Sequence, residues 1–473
     1  MSRARFHNSL NQLNHKLIYK DKMDIPNSYY KLRPMDKKIV LVGAGSTSFG
    51  PSTFLDLYQS DALSGSTVIL HDINKEHLEI IFELIKAENK IHNNKFNVEH
   101  TTNRKKALKG ADFVISSIEV GDRFKLWRED YEIPRKYGST QILGECGGPG
   151  GTMHAFRIIP PIVDIVKDVE EICPDAFFIN FSNPMARVCL AIKRTAPNLK
   201  FVGLCHQIGF LNYHIPRMVK KKLDNLKLKP YGLNHFGFLM GLEELASGKD
   251  LMPEFNSKAK EYFKQHEDRF EFSTLTFEVY KRFSYLPYVG DNHLGEYLQF
   301  GEEFTETQDM IDWIDNTDKH GKKIYRRVLR HYKRLKEGRY LKKGILSKGT
   351  SGERAIPIIE AIITDENSYE SAVNIPNDGI IENLPQDLVV ECPVTVDKDG
   401  VHGIKWGMLP KDIAAILRIE ATIQDLCVEA ILKKSKDNAI TSLAVDPNVG
   451  SFEIAEKIFT EIKSNSNYYD YFK

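Results

Sequence analysis

The feature that most constrains the fold is a short apolar run that recurs along the first half of the chain. The first run, at residues 39–42, leads into Gly43-Ala44-Gly45 and then into a segment with helical spacing around Phe54. A continuous apolar run of this length is typical of a strand buried on both faces of a parallel sheet. The sequence therefore predicts a strand, a glycine turn and a helix, in that order.

The same kind of run occurs four more times, at residues 67–70, 113–115, 176–181 and 200–204. Segments with apolar residues at helical intervals lie between the runs, at 78–91, 158–172 and 186–195. Strands that alternate with helices in this way predict an α/β protein with a Rossmann-like, doubly wound parallel sheet and right-handed crossovers.

Beyond residue 206 the chain is more charged and more helical, which indicates a second, α+β domain. Helices are predicted at 261–269, 325–336 and 411–432, and two strands within 388–406 flank the turn signal Lys398-Asp399-Gly400. We therefore expect an N-terminal extension at 1–36, a dinucleotide-binding domain at 37–206, and a domain for catalysis, substrate binding and oligomerisation at 207–473.

Charge and hydropathy exclude several classes of protein. The chain has 473 residues with 65 Lys plus Arg against 64 Asp plus Glu, so it lacks the field expected of a protein that binds nucleic acid or a membrane surface. No apolar stretch reaches the about 18 residues of a membrane span, and the N-terminus lacks the apolar core of a signal peptide. We expect a cytoplasmic protein that acts on a small molecule, without a nucleic-acid or membrane partner.

Unusual residues follow the carboxyl ends of the predicted strands. They are Gly43 and Gly45, Asp72, Ser117, Asn183, and the pair Cys205-His206. In an open parallel sheet this edge is where ligands bind, so the sequence predicts one site there.

The glycine turn and Asp72 favour a dinucleotide. Gly43-Ala44-Gly45 allows a close backbone approach to a pyrophosphate at a helix N-terminus, although Ser48 replaces the third glycine of the usual pattern. A carboxylate at Asp72 can bind ribose hydroxyls and repel a 2′-phosphate, which favours NAD over NADP. The alternative is a purely structural turn with Asp72 as a helix N-cap.

Cys205-His206 and Asn234-His235 are a candidate set of metal ligands. A thiolate with an imidazole can bind Mn, Fe, Co, Ni or Zn. A buried cysteine and a core histidine fit the same residues without any metal.

Two further segments carry candidate chemistry. The glycine-rich stretch 144–152 predicts a close approach to a ligand or a mobile lid, with an ordinary surface loop as the alternative. The stretch 285–297 concentrates phenols, carboxylates and an imidazole that could act as general bases. Within it, Asp291 is also a candidate helix N-cap.

Together these motifs resemble glycoside hydrolase family 4, the NAD- and divalent-metal-dependent glycosidases, over residues 38–459. In chain order the resemblance is carried by residues 38–46, 144–157, 180–184, 205–206, 232–236, 290–293, 389–391 and 409–410. It implies a lactate/malate-dehydrogenase-like fold and an exception to two-carboxylate hydrolysis.

The implied reaction begins with an oxidation. A hydride would leave C3 of the sugar for NAD, a base would remove the C2 proton, and the glycosidic oxygen would leave C1. Water addition and return of the hydride would complete the cycle.

The resemblance also implies roles for individual residues. NAD would be bound by Gly43, Gly45, Ser46, Asp72, Ser117, Glu145 and Asn180. The divalent ion, with Mn as the first choice, would be held by Cys205 and His235. The substrate would meet Asn183, Asn234, His293, Arg123 and Arg128. His206 is the candidate acid, and Asp291 ranks ahead of Tyr288 as the base.

The resemblance leaves the substrate open. The residues 127–132 depart from the pattern of members that act on sugar phosphates, and residues 290–293 resemble members that act on unphosphorylated α-glycosides. Arg123 and Arg128 could pair with a carboxylate, which favours an α-galacturonide or α-glucuronide over a neutral α-glucoside or α-galactoside.

Two other functions remain alternatives, a 2-hydroxy-acid dehydrogenase of the same fold and a non-catalytic NAD-sensing module. By family analogy the protein is a homodimer or homotetramer, with residues 348–363 as a candidate interface.

Overall fold

A twelve-stranded sheet runs through the computed structural model, which describes residues 36–266, 274–339 and 350–473. All but the last residue of the predicted extension at 1–36 lies outside this part of the chain. The first six strands are β1 Lys38–Val42, β2 Thr67–His71, β3 Asn97–Thr101, β4 Phe113–Ser116, β5 Phe177–Asn180 and β6 Phe201–Gly203. They are parallel and lie in the order β3-β2-β1-β4-β5-β6, which confirms the predicted Rossmann-like sheet.

The remaining strands extend the same sheet. They are β7 Leu226–Leu233, β8 Phe236–Glu244, β9 Leu286–Pro287, β10 Ser368–Pro376, β11 Val389–Asp397 and β12 Gly400–Gly403. β10 joins antiparallel to β6 where Asn374 faces Gly203, and β11, β7, β8 and β9 follow in that order. The predicted strands around the 398–400 turn are confirmed as β11 and β12, whereas β7, β8 and β10 were not predicted.

Fifteen helices accompany the sheet in the described residues. The first seven are α1 Phe49–Leu57, α2 Lys75–Ile91, α3 Arg104–Leu108, α4 Arg123–Lys136, α5 Gly148–Ile172, α6 Met185–Thr195 and α7 Gly209–Val219. The others are α8 Met252–His266, α9 Thr274–Phe283, α10 Asp291–Leu294, α11 Thr307–Lys336, α12 Ala355–Thr364, α13 Lys411–Lys433, α14 Lys436–Ala444 and α15 Phe452–Asn465. None of the described helices combines the length and the apolar character that crossing a membrane requires.

Two predicted helices begin earlier than their patterns indicated. The helix predicted at 325–336 is the second half of α11, which begins at Thr307. The helix predicted at 261–269 corresponds to α8, which begins at Met252, and its predicted end lies outside the described residues.

The glycine-rich stretch is not a lid or a surface loop. Its second half forms the start of α5 and is buried. A Cβ on Gly150 would lie 2.7 Å from the carbonyl oxygen of Gly144, and one on Gly151 would lie 2.6 Å from that of Cys146. The glycines therefore let a helix pack directly against the turn before it, a close approach to protein backbone.

A buried ion pair lies beneath this turn. Arg157 of α5 donates to Asp130 of α4 through both terminal nitrogens, with Nη1 2.6 Å from Oδ1, and Nη1 also lies 2.7 Å from the hydroxyl of Tyr469. Only 4% and 2% of the two charged side chains are exposed. Each charge therefore depends on the other for compensation.

We expect the Asp130→Ala substitution to lower the free energy of unfolding by about 3–5 kcal/mol, because it leaves a buried guanidinium unpaired. Urea denaturation followed by circular dichroism measures the change. Glu453→Ala, which removes a carboxylate from the surface pair with Lys457, is the control and should leave the midpoint nearly unchanged. Equal shifts for the two variants would contradict the assignment.

Candidate active site

The glycine turn after β1 lies against the ends of β2 and β4. Gly43 has φ +89°, and a Cβ there would collide with the carbonyl of Ser117, so only glycine fits. The amide of Gly45 donates to Asp72 Oδ2 at 2.8 Å, and the amide of Asn74 donates to Oδ1 at 2.8 Å. The cap of α2 is Asn74, which accepts from the third amide of the helix, so the alternative role of Asp72 as N-cap is wrong.

Ser46 and Ser117 complete this corner. The hydroxyl of Ser46 accepts from the amides of Ser48 and Phe49, which begin α1. The amide of Ser117 donates to the carbonyl of Val42 at 3.0 Å. Beyond Asp72, the side chain of Ile73 is 88% exposed. The structure thus brings five of the predicted cofactor residues together at one edge of the sheet.

Asn180 and Asn183 differ in what their side chains can still bind. The Asn180 amide accepts from the backbone of Ser182 at 3.2 Å and donates to its carbonyl at 2.9 Å, so this buried side chain holds the turn after β5. Its contact with a cofactor stays a prediction. The Oδ1 atom of Asn183 is buried and has no partner among the described residues, which leaves it able to accept from a ligand.

Cys205 and His235 form the centre of the site. Cys205 follows β6, and His235 occupies the turn between β7 and β8 with φ +60°. Cys205 Sγ lies 3.1 Å from His235 Nε2, close enough for both atoms to reach one divalent ion. Burial raises the pKa of the thiol, and burial with the neighbouring His293 holds the pKa of His235 well below its usual range. A neutral imidazole beside a buried thiol fits a divalent cation, whose charge would stabilise the thiolate.

His293 and Glu296 support this pair. The rings of His235 and His293 are 4.4 Å apart, and His293 Nδ1 lies 2.8 Å from Glu296 Oε1. The other oxygen of Glu296 accepts from the amides of Cys146 and Gly147 at 2.6 and 2.5 Å. His235, His293 and Glu296 offer ligand atoms within 4.8 Å of one another. Glu296 was missed from the sequence, although its i,i+3 spacing from His293 was visible.

Asn234, Tyr288 and Glu391 form a second buried group beside Cys205. Asn234 Nδ2 donates to Glu391 Oε1 at 3.1 Å, and the hydroxyl of Tyr288 lies against Glu391 Oε2 and 2.8 Å from the carbonyl of Leu233. Burial raises the pKa of Glu391, and burial together with that carboxylate holds the pKa of Tyr288 well above its usual range. Glu391 was also missed as a site residue.

Asp291 caps a helix, but not its own. Its two oxygens accept from the amides of Leu275 and Thr276 at 3.0 and 2.8 Å, at the start of α9, while Gly290 is the N-cap of α10. Burial raises the pKa of Asp291 to about 6. Each oxygen of Asp291 therefore already accepts from one backbone amide.

Four further predicted residues are His206, Glu145, Arg123 and Arg128, of which the two arginines lie on α4. His206 is exposed at the start of a short turn, close enough to Glu353 for their charges to interact. Arg123 Nη2 donates to Glu145 Oε1 at 2.5 Å, and the other oxygen of Glu145 faces His293 Nε2 at 4.0 Å.

Arg123 and Arg128, which were predicted to pair with a substrate carboxylate, both pair with carboxylates of the chain itself. Arg128 pairs with Asp315 and, at 3.2 Å, with Glu132. Arg123 pairs with Glu145 and lies 4.0 Å from Glu119. Each guanidinium is already matched by carboxylates of the chain.

Models of one protein family match most of the chain. The model of the family 4 glycosyl hydrolases matches residues 38–221, and the model of their C-terminal domain matches 230–449. An alpha-glucosidase of Erwinia rhapontici is 40% identical in an alignment of 445 positions that covers 87% of this chain and 94% of the relative. An alpha-galacturonidase of Thermoanaerobacter italicus is 28% identical over 91% of this chain and 97% of its own.

A solved structure is similar over the same span. It is the 6-phospho-beta glucosidase from Thermotoga maritima with manganese, NAD+ and glucose-6-phosphate. The TM-score is 0.74 at 25% identity, and the match covers 92% of this chain and 99% of that one.

We expect the Cys205→Ser substitution to weaken binding of Mn²⁺ at least about tenfold, because a hydroxyl replaces a thiolate ligand beside His235. Electron paramagnetic resonance of free Mn²⁺ measures the affinity without any turnover. Cys173→Ser changes a cysteine at the distant end of α5 and should bind Mn²⁺ as the unaltered protein does. Unchanged affinity in Cys205→Ser would remove Cys205 from the ligand set.

Proposed function

This chain belongs to glycosyl hydrolase family 4, and on that premise we propose that it hydrolyses an unphosphorylated, neutral α-glucoside with NAD and a divalent metal ion as cofactors. The observation that carries the proposal is the Cys205–His235 pair at the same sheet edge as the glycine turn and Asp72. The name of the Erwinia relative supports the choice of an α-glucoside.

The corner around β1 supports NAD. The turn at Gly43 leads directly into the start of α1, where a pyrophosphate is favoured. Asp72 is partly exposed and has acceptor capacity for ribose hydroxyls, and the exposed Ile73 offers an apolar surface to an adenine. The carboxylate of Asp72 would repel a 2′-phosphate, which favours NAD over NADP.

When bound, NAD supplies reversible hydride transfer at C3 of the sugar, and a divalent ion supplies positive charge beside the C2 and C3 oxygens. The chain's own residues orient these groups. Cys205 and His235 would hold the ion, and Asn183 Oδ1 would accept from a sugar hydroxyl. Glu296 fixes Nδ1 of His293 by a hydrogen bond, so that the other ring nitrogen faces Glu145.

We assign the C2 base to Tyr288 rather than Asp291. The phenol of Tyr288 lies beside Glu391 and close to Cys205. A divalent ion held by Cys205 and His235 would lower the pKa of this phenol, so that Glu391 could take its proton and leave an oxygen able to accept a proton from carbon. Asp291, in contrast, uses both oxygens to cap α9. His206 is exposed at the entrance, where it can donate a proton to the departing glycosidic oxygen.

The charges around the site favour a neutral sugar. Glu145, Glu296 and Glu391 are all buried there, and the arginines of α4 are matched by carboxylates. A uronate or a sugar phosphate would enter this negative environment without an unpaired guanidinium to receive it. An α-hexuronide is the second candidate, and the name of the Thermoanaerobacter relative favours it.

We expect the protein with NAD and Mn²⁺ to release aglycone from a neutral aryl α-glucoside without net formation of NADH. In deuterium oxide the sugar product should carry deuterium at C2, because the C2 proton exchanges with solvent. The panel includes the α-galactoside, α-galacturonide, α-glucuronide and 6-phospho-α-glucoside. Faster cleavage of a uronide would replace the neutral substrate, and stoichiometric NADH without aglycone release would indicate a dehydrogenase instead.

We expect Tyr288→Phe to lower kcat by about 10²–10⁴ while leaving Mn²⁺ binding near that of the unaltered protein, because the phenolic oxygen is lost and Cys205 and His235 remain. Loss of the hydrogen bond to the buried Glu391 should also lower the melting temperature. Asp291→Asn is the paired variant. It replaces one acceptor at the start of α9 by a donor and should lower the melting temperature. If Tyr288→Phe keeps C2 exchange and Asp291→Asn loses it in folded protein, the base is Asp291.

A further inference from the structure

His293 lies between two carboxylates, and only one of them is close enough for a hydrogen bond. Its Nδ1 atom is 2.8 Å from Oε1 of Glu296, whereas its Nε2 atom is 4.0 Å from Oε2 of Glu145. The second distance is too long for a direct hydrogen bond. Within the described residues, no hydrogen bond joins either Nε2 or Oε2 to another group of the chain. The space between these two atoms, the Glu145–His293 gap, is therefore able to receive a ligand atom.

Hydrogen bonds decide which atoms beside the gap carry protons. Oε2 of Glu296 accepts from two backbone amides, which favours the ionised carboxylate, so Nδ1 of His293 is the donor to Oε1. Burial lowers the pKa of His293, but the charges of Glu296 and Glu145 raise it by more, and the net pKa is above its usual value. The protonated imidazole then donates from Nε2 as well. Oε2 of Glu145, in contrast, accepts.

A hydroxyl group can satisfy both sides of the gap. Two charge-assisted hydrogen bonds of about 2.7 Å that meet at one oxygen at about 95° span the 4.0 Å between Nε2 and Oε2. The oxygen must accept from Nε2 and donate to Oε2, and a hydroxyl group does both. An oxygen of a carboxylate or phosphate accepts from Nε2 but has no proton for Oε2, and it carries the same charge as Glu145. The gap therefore selects a neutral hydroxyl group.

The surroundings hold Glu145 in place and exclude most water. Oε1 of Glu145 accepts from Nη2 of Arg123 at 2.5 Å, and the backbone carbonyl of Glu145 lies 3.1 Å from Nδ1 of the buried His154. Only 11% of the Glu145 side chain and 7% of the His293 side chain are exposed. A ligand without the hydroxyl group would leave two nearly buried charged groups without that hydrogen bond, which weakens binding.

We propose that the Glu145–His293 gap binds one hydroxyl group of the sugar, on C4 or on C6, and so determines which sugars the site accepts. The inference rests on the proposed function, in which the C2 and C3 oxygens lie beside the divalent ion. The ring of His293 is 4.4 Å from the ring of His235, so the gap lies beside the ion site. The hydroxyl groups that remain for the gap are those on C4 and C6.

The ribose groups of a dinucleotide fit the gap less well. Glu145 was predicted to bind NAD, but its partner in the gap, His293, packs against His235, which directly follows β7. Five strands separate β7 from β1 in the sheet, and the glycine turn at Gly43 follows β1. The gap is therefore on the side of the sugar, and a ribose hydroxyl is an outcome that the test distinguishes.

The test measures sugar binding without turnover. The protein is loaded with Mn²⁺ and NADH, so that no hydride leaves the sugar, and isothermal titration calorimetry measures the affinities. The parent ligand is 1,5-anhydroglucitol, which has no glycosidic bond to cleave, and its 4-deoxy and 6-deoxy analogues each lack one hydroxyl group. If the glycoside panel selects another configuration, the series is built on that 1,5-anhydrohexitol.

Two variants complete the test. Glu145→Ala removes the acceptor of the gap. Glu132→Ala is the control, because it also removes a carboxylate paired with an arginine of α4, from a side chain that is 53% exposed.

We expect one deoxy analogue to bind at least about tenfold more weakly than the parent, both to the unaltered protein and to the control. This ratio should fall at least about threefold in Glu145→Ala. A role of Glu145 in folding alone would weaken all three sugars equally and leave the ratio unchanged.

Several results would overturn the proposal. They are no binding of the parent, equal binding of the three sugars, and a ratio that persists in Glu145→Ala. Weaker NADH binding in Glu145→Ala with an unchanged sugar ratio would assign the gap to the dinucleotide instead. The glycoside panel judges the proposed function separately, since cleavage together with equal binding of the three sugars would keep the glycosidase and reject the gap as a sugar site.

Discussion

The carboxylate of Glu296 is the interaction on which the geometry of the site depends. It is fully buried, and its two oxygens accept from the amides of Cys146 and Gly147 and bind Nδ1 of His293. A buried carboxylate is costly unless hydrogen bonds compensate it, so these contacts hold the turn before α5 against α10. His293 then packs against His235, and His235 faces Cys205. A displacement of Glu296 would move the imidazole partner of the thiol.

The parallel half of the sheet was predictable because its strands are buried on both faces. Residues 39–42 and 113–115 are continuous apolar runs, and their order follows from alternation with helices. β3 was not predicted because its residues are mostly exposed at the edge of the sheet and do not form an apolar run. β10 was not predicted because its position in the sheet depends on the pairing of Asn374 with Gly203, which lies far away in the sequence.

The positions of the site residues were more predictable than their uses. Topology alone brings Gly43, Asp72 and Cys205 to one edge, because parallel strands end there together. Hydrogen bonds within the protein determine which of these side-chain atoms can still bind a ligand. The side chain of Asn180 hydrogen-bonds within its own turn, and that of Asp291 accepts from the amides that begin α9. Neither hydrogen bond could be predicted from the pattern of a single segment. Glu391 reaches the site from a strand of the second half of the chain, without a local signal.

Buried carboxylates connect the choice of metal with the choice of substrate. Glu296, through His293, and Glu391, near Cys205, place negative potential at the Cys205–His235 pair in a region where water screens little. That potential stabilises a divalent cation and opposes an anionic sugar, so one arrangement favours both the ion and a neutral glycoside. The dinucleotide is also an anion, but its pyrophosphate would lie at the start of α1 rather than among these carboxylates and would not be repelled by them. The overall charge of +1 conceals this separation, since a sum over the whole chain does not show where its charges lie.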